Sequence, residues 1–70
     1  MVHLDYRDAR PIYTQIVDGF REQIAAGILQ PGEKMPSVRD LAAELAINPN
    51  TIQRAYRQLE AEGWIVSMQG

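Results

Sequence analysis

The sequence predicts a mainly α domain of three helices with a short extended segment at its C-terminal end. Three observations carry this. Apolar residues recur at helical spacing in three separate stretches. The last two helices are joined by only three or four residues. An aromatic and β-branched run, Trp64-Ile65-Val66-Ser67, follows directly on the third. Two helices joined by so short a turn describe a helix-turn-helix, and a strand straight after the second suggests the winged variety.

The elements follow in order. Residues 2 to 6, Val-His-Leu-Asp-Tyr, alternate apolar and polar, which suits either a short edge strand or a frayed tail. Pro11 is a good first-turn residue. From there Ile12, Ile16, Phe20 and Ile24 recur every four positions, with Tyr13 and Val17 beside them. This is one apolar stripe on a helix of roughly four turns. Gly27 supplies a left-handed stop, and Ile28 is placed to fold back onto the last turn. Pro31-Gly32 reads as a type II turn.

Ser37-Val38-Arg39-Asp40 has the form of a capping box, with Asp as a shorter substitute for Glu. Val38, Leu41, Ala42 and Leu45 then give a second, shorter stripe. Ala46-Ile47 is the turn. Asn48 is the next N-cap, and Pro49 falls at N1, where its missing N–H costs nothing. Ile52, Ala55, Tyr56 and Leu59 form the third stripe, and Gly63 ends it. Residues 1–10 are therefore expected to be a tail or short strand, and residues 11–70 the domain.

Seventy residues make one small domain at most. With no cysteine, neither a disulfide nor a thiolate metal site supports it. No apolar run approaches a membrane span, and the N-terminus lacks the apolar centre of a signal peptide. A soluble, cytoplasmic protein is the expectation. The formal charge of −2 argues mildly against a nucleic-acid partner. Distribution matters more than the sum: Lys34, Arg39, Arg54 and Arg57 fall in the middle of the chain and on its last helix.

With the third stripe set toward the core, Asn50, Gln53, Arg54 and Arg57 point the other way, and Thr51 sits on the flank. The acids Glu60 and Glu62 fall at the far end. These groups suit a duplex: Asn and Gln pair with adenine edges, Arg with guanine, and a Thr methyl touches a thymine methyl. Any surface helix can carry Asn, Gln and Arg, so the face alone does not decide. The short turn does more, because helix-turn-helix docking puts the head of the second helix against base edges.

The stretches "AAGILQPGEKMPSVRDLA" and "NPNTIQRAYRQLEAEGWI" resemble the N-terminal DNA-binding domain of the GntR family of bacterial transcription regulators. The resemblance runs from about Pro11 to Gly70, with Met35 where the family usually has leucine. The opening "RPIYTQI" resembles most the YtrA-like branch, whose effector and dimerisation segment is short.

The resemblance implies that Arg39 contacts the DNA backbone or a base. It also implies that Asn48, Asn50, Thr51, Gln53 and Arg54 form the reading end. Ser37 and Pro49, heading the two helices, are included in the expected interface. Arg57, from the helical wheel, and Lys34 are assigned to phosphates. Relatives continue with a wing hairpin and a dimerisation segment, both expected to lie beyond residue 70. Many relatives carry glycine at the position of Ala46; if that residue is left-handed, alanine costs roughly 1 kcal/mol, so a turn built slightly differently is the expectation.

The expected function is operator reading by a dimeric, ligand-responsive repressor on a palindromic double-stranded DNA site. Two alternatives stand beside it. One is a winged-helix protein-interaction module without DNA binding. The other is the same domain attached to a PLP-binding aminotransferase-like domain. No catalytic set, phosphate loop or metal-ligand cluster is present in the sequence, so no enzyme, cofactor or metal is expected.

Overall fold

A computed structural model describes residues 3–29 and 35–66. The Pro31-Gly32 turn, Lys34 and Ser67 lie outside the described residues. Three helices form: α1, Ile12–Ala25; α2, Val38–Leu45; and α3, Pro49–Ala61. Both α1 and α2 pack against α3.

Each helix buries the middle of the stripe its periodicity marks; Ile12, Tyr13, Val38 and Leu45 pack on it half-buried, and Ile24 is not part of the core. Ile16, Val17 and Phe20 of α1 meet Leu41 and Ala42 of α2 and Ile52, Ala55, Tyr56 and Leu59 of α3, with Met35 closing one side. Phe20 and Tyr56 meet edge to face, centroids 5.9 Å apart and planes at 76°, the arrangement that ring quadrupoles favour. The Tyr56 hydroxyl donates to the Pro36 carbonyl oxygen at 2.7 Å, which ties the lead-in of α2 to α3. Burial pushes this phenol up to about 12. Fully burying a side chain such as Leu59 stabilises by about 1.5–3 kcal/mol, so these ten buried apolar residues fix how α3 sits.

All three helices end in the same hydrogen-bonded device. After α1, Gly27 N–H donates to Ile24 O and Ile28 N–H to Gln23 O. After α3, Gly63 N–H donates to Glu60 O and Trp64 N–H to Leu59 O. After α2, Ala46 N–H donates to Ala43 O and Ile47 N–H to Ala42 O. These are Schellman motifs, which need a left-handed residue at the turn. Gly27 and Gly63 supply it at φ 76° and 83°; Ala46 supplies it at φ 56°, ψ 44°. The expected departure at Ala46 is thus corrected. The turn keeps its geometry, and the alanine carries the strain.

Four other expectations change. Pro11 is the N-cap of α1, one residue before N1, and its carbonyl accepts from Thr14 and Gln15 N–H. The Ile28 backbone closes the α1 cap, but its side chain stays 73% exposed, and Leu29 packs on the core instead. Residues 64–66 form no strand. Trp64 N–H is taken by the α3 cap, and no segment among the described residues pairs with the run, which a ladder requires.

Residues 6–10 form turns and bends, and no strand forms among residues 3–10. Buried Gln15 straps them to α1. Its Oε1 accepts from Asp5 N–H at 2.9 Å, and its Nε2 donates to the carbonyls of Asp5 and Arg10.

Candidate nucleic-acid interface

The interface is assembled from the heads of α2 and α3. At α2, the Ser37 oxygen accepts from Asp40 N–H at 3.0 Å, the first half of the predicted capping box. At α3, Asn48 Oδ1 accepts from Asn50 N–H at 2.8 Å, and Pro49 occupies N1. Asn48 therefore commits one of its two carbonyl lone pairs to the cap and keeps its NH₂ donors for a partner. The left-handed Ala46 turns the chain sharply enough to bring Ala42 and Ile52 together in the core.

Asn48, Pro49, Asn50, Gln53, Arg54 and Arg57 are exposed on α3, and Thr51 is half-buried. Ser37 and Arg39 are exposed at the head of α2. The structure thus gathers every expected site residue that it describes onto the helix-turn-helix; Lys34 alone falls outside the described residues.

The arginines divide into two sets. Arg7 pairs with Asp5, Arg10 with Asp8 and Asp18, and Arg21 with Asp18 and Glu62. The Arg10 side-chain hydrogen bond holds the Asp8 carboxyl below the ordinary carboxylate value. The Arg21–Glu62 contact, 3.1 Å, ties α1 to the C-terminal end of α3, where Gln58 also donates to Glu62 at 3.0 Å. Arg39, Arg54 and Arg57 form no ion pair among the described residues. Arg54 instead lies over the Tyr13 ring, its guanidinium carbon 3.8 Å from the centroid.

Arg39 at the start of α2, and Arg54 and Arg57 in the middle of α3, are therefore left without a carboxylate, while Asp5, Asp8, Asp18 and Glu62 are already matched. That partition leaves three cations on α2 and α3 unmatched in a chain of net charge −2, beside the exposed acids Asp40 and Glu44 of α2. Sequence reasoning missed Gln15, the ion-pair network and the Tyr13–Arg54 contact. Asp5–Arg7, Asp8–Arg10 and Asp18–Arg21 are close in sequence, the last at the i,i+3 spacing of a helix face.

A three-helix unit whose second and third helices flank a left-handed turn, with exposed amides at the third helix's head and guanidinium groups free of carboxylates along it, is a helix-turn-helix domain. The chain matches the family "Bacterial regulatory proteins, gntR family" over residues 12–70, and it belongs to that family. It is 46% identical over all 70 residues to the HTH-type transcriptional repressor YtrA of Bacillus subtilis, covering 54% of that protein. It is 49% identical over 57 residues to the HTH-type transcriptional regulator YdeL of the same organism, covering 81% of this chain and 12% of YdeL. Among solved structures, YtrA from Sulfolobus acidocaldarius, a GntR-family transcription factor, superposes with a TM-score of 0.92 at 44% identity. That match covers 97% of this chain and 72% of the other. The chain spans about half the length of the repressor it matches over all its residues, and these relatives are named as transcription regulators. Among the described residues, no helix is long and apolar enough to cross a membrane.

Proposed function

We propose that this chain is the operator-reading domain of a cytoplasmic transcription repressor that binds double-stranded DNA as a homodimer. The observation that carries this is the charge partition. Arg39, Arg54 and Arg57 stand open on the helix-turn-helix, while Arg7, Arg10 and Arg21 are matched by carboxylates. Asn50, Gln53 and Arg54 read base edges in the major groove, with Thr51 and the Asn48 NH₂ on their flank. Arg39, Arg57 and Lys34 hold phosphates and set the register, while Ser37 and Pro49 shape the two helix heads that meet the backbone. Residues 11–70 form the reading domain. A wing, a dimerisation segment and a small-molecule effector site belong to chain beyond residue 70, and each domain reads one half of a palindromic site.

A second reading of the whole protein rests on the YdeL match, in which this domain is a small fraction of a long chain. It attaches a large second domain in place of a short effector segment, of the PLP-binding, aminotransferase-like kind that the family resemblance offers, and leaves the DNA interface unchanged. A protein-interaction module without DNA binding is the remaining competitor. Titrating the full-length protein against a duplex selected from a random pool, at several salt concentrations, separates the two classes. DNA binding requires log K to fall steeply and linearly with log salt; binding that is flat in salt, or no duplex enriched, removes the proposal.

A further inference from the structure

Arg54 differs from the other two open arginines. Its guanidinium carbon lies 3.8 Å from the centroid of Tyr13, a distance reached only over the ring face. Tyr13 is on α1, outside the helix-turn-helix, and its ring is half-buried against the core. The Tyr13 hydroxyl has no hydrogen-bond partner among the described residues, so what the side chain contributes to Arg54 is its face. A guanidinium held flat on an aromatic ring keeps its N–H donors free around its edge, where a planar acceptor pair approaches. An unsupported arginine loses rotamer freedom on engaging DNA, a cost a preorganised side chain has partly met.

We infer that Tyr13 is a positioning residue for DNA recognition: it holds the Arg54 guanidinium edge-outward, which makes Arg54 the base-reading arginine. Arg39 and Arg57, which lack such a platform, serve phosphates. The inference rests on the DNA-reading proposal and adds to it a residue from α1.

The test uses the full-length protein and a duplex selected from a random pool by the wild type, with the unselected pool as reference. Tyr13→Leu, which removes the ring face, lowers affinity for the selected duplex about two- to five-fold, the factor an exposed cation–π contact converts to. Its effect on the pool is smaller. Tyr13→Phe, which keeps the face, restores the affinity. In an Arg54→Ala background Tyr13→Leu costs nothing further, because the partner it positions is gone. An equal loss from Tyr13→Leu with and without Arg54, or an equal loss on pool and selected duplex, would show general support of the fold and overturn the inference. A loss with Arg54→Ala but none with Tyr13→Leu overturns it while leaving the DNA reading standing. A wild type that enriches no duplex overturns both.

Discussion

Replacing Ala46 by glycine removes one exposed methyl group from a residue held at φ 56°, ψ 44°. A left-handed L-residue other than glycine costs roughly 1–2 kcal/mol, because Cβ crowds the carbonyl oxygen. Glycine gives back part of this through the greater freedom of its unfolded chain, about 0.4–1 kcal/mol. The net expectation for Ala46→Gly is a gain of about 0.5–1 kcal/mol. In a chain of 70 residues this raises Tm by roughly 2–8 °C. The neighbouring caps provide the converse experiment. Gly63 has φ +83°, and a Cβ built there meets nothing within 4 Å. Gly63→Ala therefore isolates the conformational term and lowers stability by the same net amount, about 0.5–1 kcal/mol. Urea and thermal unfolding followed by circular dichroism measure both. A drop in stability with Ala46→Gly, alongside the expected loss with Gly63→Ala, would refute the claim that Ala46 carries strain in the turn.

Two more outcomes follow from the core and the strap. The Tyr56 phenol is raised from 10.0 to about 12 in the folded state. Its contribution is complete below pH 10 and is lost as pH rises toward 12, by up to about 2–3 kcal/mol; chemical unfolding across that range shows a decline that Tyr56→Phe flattens. Gln15→Ala releases residues 5–10 from α1 by removing three hydrogen bonds. It costs about 1–3 kcal/mol, and amide exchange at Asp5 reports the release directly.

Helix periodicity carried most of the architecture. Ile16, Val17 and Phe20, then Leu41 and Ala42, then Ile52, Ala55, Tyr56 and Leu59 are buried as their spacing marks them, since burial of one face is what a 3.6-residue repeat encodes. The caps at Ser37 and Asn48 were equally legible, being local chemistry within two or three residues. What was not legible depends on partners far apart in the chain. Arg21 and Glu62 are separated by 41 positions, and Tyr13 meets Arg54 only because α1 lies against α3. Gln15 sits beside a clean apolar stripe and reads as a surface amide until residues 3–10 fold over it. The run at Trp64 misled because β-propensity describes a residue's fit to a sheet, and the first available acceptor for Trp64 N–H was the helix just ended.

The charge partition bears the greatest weight, and the salt slope of DNA binding tests it most directly. With the full-length protein on one selected duplex, Arg39→Ala and Arg57→Ala should each reduce the slope of log K against log salt by roughly 0.9, one phosphate contact apiece. Arg10→Ala and Arg21→Ala, whose cations are already matched by carboxylates, should leave it nearly unchanged. Equal slopes lost from both pairs of arginines would contradict the account.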